Sequence, residues 1–230
     1  MPSVALLGAT GLVGSQCLDL LAADRAFERV VVIARRKFAE ALAPRIEGHL
    51  VDMDRLGDRP ELFNVDQIIC ALGTTIRAVG GSRARFREVD HGIPLAAAEA
   101  GRRQGARHFL LVSALGASVD SRFFYSRVKG ELEDALRSLG YRSVTILRPS
   151  MLLGERSDVR AGEVAARWLR WVVPGRYRPV DARDVAKVLV AAAGEDRPGF
   201  HVIESDQIRA RARSLRPLAC TSRYLLAHMS

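Results

Sequence analysis

The turn Gly8-Ala9-Thr10-Gly11-Leu12-Val13-Gly14 constrains this chain more than any other segment. It follows a short apolar run, Val4 to Leu7. It precedes Leu12, Val13, Cys17, Leu18, Leu20 and Leu21 at helical spacing. An uninterrupted apolar run of that length suits a strand buried on both faces. The periodicity after it predicts a helix from Gly11 to Ala23. A glycine turn between a buried strand and a helix lets backbone N–H groups approach a pyrophosphate. The helix N-terminus adds partial positive charge there, and Gly14 allows close packing of helix on sheet. The dinucleotide contacts expected in this turn are Gly8, Thr10, Gly11, Leu12, Val13 and Gly14.

The alternation continues. Arg29 to Ala34, His49 to Val51, Asp66 to Ala71, Arg107 to Ser113 and Ser143 to Arg148 read as strands. Ile93 to Gln104 and Tyr125 to Leu139 read as helices between them. Strands alternating with helices predict an α/β fold. The expected form is a doubly wound parallel sheet, a Rossmann fold, with ligands at the carboxyl ends of the strands. Beyond Pro149 the pattern is sparser. It has helices over Glu163 to Val173 and Asp181 to Ala193 and a short strand at Phe200 to Ile203. A terminal helix or loose tail follows Gln207. With 230 residues the expected organisation is a single domain. Residues 1–150 form its dinucleotide-binding core and 151–230 a small substrate-side extension.

Charge and cysteine content narrow the function classes. The formal net charge is +9, and only Lys37, Lys129 and Lys187 among the 35 basic residues are lysines. The arginines are scattered, with no zinc-finger spacing and no interleaved aromatics, so nucleic acid is not the expected partner. Cys17, Cys70 and Cys220 are far apart and form no CxxC, so neither a metal site nor a disulfide framework is expected. No apolar run is long enough to cross a bilayer, and Met1 to Gly8 has no basic secretory region. No membrane contact and a cytoplasmic location are therefore expected.

Other strand ends should line the same crevice. An acid after the second strand would hold the ribose 2′-hydroxyl of NAD, whereas an arginine accommodates the 2′-phosphate of NADP. Here Ala34 is followed by Arg35, Arg36 and Lys37. Arg35 stands 21 positions after Gly14, close to the interval of about 20 expected for that residue. Arg35 and Arg36 therefore predict NADP(H). Asp52, with Met53 beside it, follows the third strand. It suits an acceptor for the adenine amino group and equally an ordinary surface-turn acid. Ala71, Leu72, Gly73 and Thr74 follow the fourth strand, where Gly73 allows a close backbone approach and Thr74 offers a hydroxyl.

Tyr125 and Lys129 stand at i and i+4, on one helix face. An ammonium nearby favours the tyrosinate and so lowers the phenol pKa. Such a tyrosine can pass a proton to or from a carbonyl or alcohol oxygen. Ser113 ends the fifth strand, 12 residues before Tyr125. It suits a hydrogen bond to the substrate oxygen and equally a strand-terminal cap. Ser118 and Ser121 are weaker rivals. Ser118 to Phe124, Met151 to Arg156, and Trp168 with Trp171 are the expected pocket residues. The tryptophans suit core or a dimer surface, so a homodimer stays open.

Taken in order, Gly8 to Gly14, the basic end of the second strand, Ser113, Tyr125 and Lys129 resemble the short-chain dehydrogenase/reductase superfamily. GATGLVG and Leu147-Arg148-Pro149-Ser150 look like its extended and atypical branches. Four segments are similar to the Tat-interacting-protein-like group: Cys70 to Thr75, Phe86 to Asp90, Arg107 to Ser113 and Phe124 to Glu133. The likeness runs from residue 1 to about 205. It implies NADP(H) binding, a Ser–Tyr–Lys arrangement at Ser113, Tyr125 and Lys129, and passage of Pro149 to Leu153, including Met151, near the nicotinamide. It implies also that Val180 to Ala186 closes the C-terminal part of the site. The family's tetrad asparagine has no clear match, although Asp90 or His91 lies near its place. Ala114 stands where relatives often carry a second serine. The tail after Gln207 departs from the pattern, and little chain remains for a sugar epimerase's substrate domain. The expectation is an NADP(H)-dependent oxidoreductase acting on a small carbonyl or alcohol. The alternative is a non-catalytic NADPH-sensing protein that binds a protein partner, as some members of the group do.

Overall fold

The computed structural model describes residues 1–37, 43–153 and 175–215. Its first strand, β1 (Ser3–Leu7), alternates in facing direction, as extended backbone must. Val4 and Leu6 enter one apolar layer, Ala5 and Leu7 the other. The same two-sided burial holds for β2 (Arg29–Ala34), β4 (Gln67–Cys70), β5 (His108–Val112) and β6 (Ser143–Arg148). With β3 (Ile46–Leu50) and β9 (Gly199–Glu204), these strands make one sheet in the order β3-β2-β1-β4-β5-β6-β9. Every pairing in it is parallel. A separate two-residue pair, β7 (Leu152–Leu153) with β8 (Val180–Asp181), brings the chain after β6 back beside the sheet.

Helices cover both faces. Helix α1 (Leu12–Ala23) packs with α5 (Ala182–Glu195) and α6 (Ser205–Ser214) over one layer. Helices α3 (Ile93–Arg103) and α4 (Phe124–Ser138) cover the other. The short helix α2 (Arg83–Arg87) runs through one π turn, Glu88–Gly92, into α3. The expected doubly wound parallel sheet is thus the observed architecture. The strand order reverses between β1 and β4, and the crevice outside their carboxyl ends is the place such sheets bind ligands.

Two expected elements shift. The third strand is Ile46–Leu50 rather than His49 to Val51. It lies at the sheet edge, where Glu47 and His49 face outward and break the apolar run. The stretch after Gln207 belongs to α6, closed at its start by reciprocal bonds between Glu204 and Gln207. The expected helix at Glu163 to Val173, Trp168, Trp171, Cys220 and the tail beyond 215 lie outside the described residues.

Candidate active site

At the switch point, β1 ends in Gly8 with φ at +86°, a left-handed conformation that favours glycine. Gly11 N–H donates to Gly8 O at 2.8 Å and closes the turn. A Cβ on Gly14 would stand 2.0 Å from Gly8 O, so the helix can begin this close to the strand only without a side chain. No side chain caps α1 at Gly11, which leaves its first N–H groups for a ligand.

The turn opens onto a cleft of about 540 Å³. Of the expected contacts, Gly8, Thr10 and Gly11 line it. So do Arg35, Arg36, Asp52, Met53, Ala71, Leu72, Gly73 and Thr74. Leu12, Val13 and Gly14 lie behind this lining. Val13 and Gly14 are buried, and Leu12 packs against the α1 layer. Arg35 and Arg36 are exposed at the β2 end, on the same cleft as Gly11. The Asp52 carboxylate accepts from Asp54 N–H at 3.1 Å and so caps a 3-10 turn at Met53–Asp58. The sequence reading missed Arg85, which also lines the cleft, held by Asp54 at 2.9 Å and Glu88 at 2.7 Å.

At Gly73 the cleft meets Lys129. A Cβ on Gly73 would stand 3.9 Å from Lys129 Nζ and 3.7 Å from Asp90 Oδ1. Lys129 is buried on α4, and its Nζ lies 2.7 Å from Asp90 Oδ1. The other Asp90 oxygen accepts from Thr74 N–H at 2.9 Å. One buried carboxylate from the π turn therefore fixes both the lysine and the loop after β4. Of the two residues near the expected asparagine position, Asp90 points in. His91 is only half-buried, and burial holds its imidazole below the usual range.

One turn earlier, Tyr125 stacks on the buried Phe86 with ring centroids 5.5 Å apart. The phenol does not follow the expected direction. Although Tyr125 keeps 38% of its surface exposed, partial burial lifts its phenol above its ordinary value, the Lys129 charge pulls it down and the Asp90 charge pushes it up. Burial opposes the Lys129 ammonium, but Asp90 and Tyr125 outweigh that and keep it protonated.

Ser113 lies at the β5 end, 5% exposed, and its hydroxyl donates to Glu133 Oε1 at 2.5 Å. Glu133 is gripped in turn by Arg148, whose Nε lies 3.1 Å from Oε1 and whose Nη2 lies 2.5 Å from Oε2. Arg148 also reaches Glu204 at 3.0 Å. Glu133 and Arg148 stand in segments that carry the resemblance, but the sequence reading assigned them no role, because nothing local shows that a helix residue and a strand-end residue meet. Pro149 O accepts from Leu115 N–H, and Met151 O from Val180 N–H. Neither residue lines the cleft, and Met151 is exposed. Arg156, Trp168 and Trp171 lie outside the described residues.

A family model described as NAD(P)H-binding matches residues 8–196. Among curated proteins, FMP52 of Candida albicans is 33% identical over 229 residues, 93% of this chain and 99% of that protein. The protein of that name in Emericella nidulans is 38% identical over 174 residues, 73% of this chain and 74% of its own. Both are named as mitochondrial. The expected cytoplasmic location is overturned by these relatives. It rested on Met1 to Gly8 having no basic secretory region, a pattern that says nothing of mitochondria.

Among solved structures, UDP-glucose 4-epimerase of Thermotoga maritima superposes with a TM-score of 0.67 at 17% identity. The match covers 92% of this chain and 80% of the epimerase. The enzyme WbmH of Bordetella bronchiseptica, in complex with NAD+, gives 0.68 at 16%, covering 93% and 80%. At such identities the likeness is one of fold alone.

Proposed function

The chain belongs to the NAD(P)H-binding family, and from that premise we propose that it is an NADP(H)-dependent oxidoreductase of a small carbonyl or alcohol. The observation that carries this reading is one continuous line of groups. It runs from the Arg35–Arg36 end of the cleft, past Gly11, to Gly73, with Lys129 and then Tyr125 beyond.

The residues present fit the coenzyme. Gly8, Thr10, Gly11 and the N–H groups opening α1, at Leu12, Val13 and Gly14, hold the pyrophosphate. Arg35 and Arg36 hold the 2′-phosphate. Neither pairs with a carboxylate among the described residues, so both are available to an anion. Asp52 and Met53 flank the adenine, and Ala71 to Thr74 follow the dinucleotide toward Lys129. When bound, the reduced nicotinamide supplies a hydride to the carbonyl carbon. Tyr125 supplies the proton. Its Oη–H bond breaks as the C=O π pair moves onto oxygen, and the resulting tyrosinate regains its proton from solvent. Lys129 stabilises that tyrosinate across one helical turn. Ser113, whose own proton goes to Glu133, is left to accept from the O–H of the alcohol form of the substrate. The 151–230 segment serves as the substrate-side part of a single domain.

Tyr125→Phe tests this reading. General acid–base catalysis contributes about 10²–10⁴-fold in rate. Carbonyl reduction with NADPH, followed on a substrate found by screening aldehydes and ketones, should fall by that factor. NADPH affinity should stay as in the parent. Equal turnover by parent and variant removes Tyr125 from the chemistry. A protein that binds NADPH tightly, reduces nothing in the screen and changes its protein associations on binding would instead be the non-catalytic sensor.

A further inference from the structure

The ion pair between Asp90 and Lys129 is buried. Asp90 is fully buried and Lys129 is 3% exposed. Their charged atoms are 2.7 Å apart. The second Asp90 oxygen is held by Thr74 N–H, so the carboxylate cannot swing away without releasing the loop after β4. A lysine one turn from a catalytic phenol serves to lower its pKa only insofar as its charge reaches the phenol uncompensated. Here a full negative charge sits against that ammonium, inside the protein, where screening by solvent is weak.

We propose that Asp90 is a positioning residue. Through its pair with Lys129 it offsets part of the ammonium's pull on Tyr125 and keeps the phenol protonated, so at neutral pH the site gives a proton to a carbonyl oxygen in preference to taking one from an alcohol. The proposal rests on Tyr125 being the proton-transfer group and deepens that reading by naming carbonyl compounds as the substrates turned over at neutral pH. The other groups around the phenol do not replace Asp90. Phe86 of α2 presents an apolar ring. Arg87 of α2 is paired with Glu131 of α4 at 2.5 Å. His91 stays neutral, held down first by burial and then by Arg87. Cys70 of β4 is a buried thiol pushed up to about 11, chiefly by burial, and carries no charge at neutral pH. Asp90 is the anion whose charge opposes that of Lys129 on the phenol.

The test needs no substrate. Tyrosinate formation is followed by ultraviolet difference absorbance as pH is raised, and the chain has only four tyrosines. The Tyr125 component is the part of the signal lost in Tyr125→Phe. Asp90→Asn removes the carboxylate charge and keeps the side-chain shape. The Tyr125 titration should move down by about 1 pH unit, and Lys129→Met should move it up. An Asp90→Asn protein that titrates at the parent's pH or higher overturns the proposal. Removing one partner of a buried pair can itself unfold a protein, whereas removing both is often tolerated. The double variant Asp90→Asn with Lys129→Met therefore gives a second reading. If Asp90 offsets Lys129, loss of both leaves Tyr125 within about half a pH unit of the parent. If Lys129 acts alone, the double variant rises by about 1 pH unit or more, and the proposal fails. Failure here leaves the Tyr125→Phe turnover test standing, since that test asks only whether the phenol is used.

Discussion

The two ends of the central strands differ in what their polar side chains face. At the amino ends they are bound to one another. Asp66 accepts from both the N–H and the hydroxyl of Ser3 and pairs with Arg107. Gln67 Nε2 donates to Ala193 O at 2.8 Å, and Ser143 Oγ donates to Arg197 O at 2.5 Å. His108 shares a hydrogen bond of 2.9 Å with Thr145. At the carboxyl ends Ser113, Glu133 and Arg148 are bound to one another and Lys129 to Asp90, but Arg35, Arg36, Asp52 and Thr74 face an open cleft, which Lys129 meets at Gly73. The same strands thus close on themselves at one end and present an open cleft at the other. The difference comes from where the glycines lie. Gly8, Gly11 and Gly73 line the cleft and keep side chains out of it.

That division makes substitutions at the two ends fail differently. The largest effect is expected from Gly14→Ala. Its Cβ would meet Gly8 O at 2.0 Å, a backbone collision no rotamer relieves. A loss on the order of 4 kcal/mol or more is expected, seen in thermal melts as an unfolded or strongly destabilised protein that NADPH no longer stabilises. If Gly14→Ala melts with the parent and still binds NADPH, the turn does not have the close packing described.

At the other end, His108 is buried with its pKa lowered to about 4 from 6.5, mainly by burial. A depressed histidine keeps its full contribution above the unfolded value and loses it as pH falls through the folded one. Between pH 6.5 and 4 the unfolded chain binds the proton first. The protein should therefore lose about 3 kcal/mol of stability across that window. His108→Gln, which can keep the bond to Thr145, should flatten this acid limb in urea titrations without altering NADPH affinity. A variant that retains the limb, or that weakens NADPH binding, would break the separation between the two ends.

The division was only partly legible in the sequence. The bounds of β2 and β6 follow from short, mainly apolar runs rich in β-branched residues, Arg29 to Ala34 and Ser143 to Arg148, because strands buried on both faces show little alternation to blur their ends. The Gly8–Gly14 turn and the Tyr125/Lys129 spacing are local patterns and emerge the same way. Asp90 is different. A π turn at Glu88–Gly92 rotates this segment off the helical period, so no periodicity could choose between Asp90 and its neighbour His91. Glu133 and Arg148 are hidden for a related reason. Their partners are distant in the chain, and a charged residue on a helix reads as surface until a fold places Ser113 and Arg148 against it. The direction of the Tyr125 shift likewise depends on burial by Phe86 and on Asp90, neither of which the i, i+4 spacing contains.

The central claim is that the cleft binds a dinucleotide through its glycine turn and reads the 2′-phosphate through Arg35 and Arg36. Calorimetric titration of the parent and of the Arg35→Ala, Arg36→Ala double variant with NADPH and NADH tests it most directly. A charge-assisted hydrogen bond contributes about 1.5–3 kcal/mol, so the parent should prefer NADPH by roughly tenfold to a hundredfold or more. The double variant should lose that preference while still binding NADH. Equal affinity of the parent for both coenzymes, or no heat with either at millimolar concentration, would contradict the account.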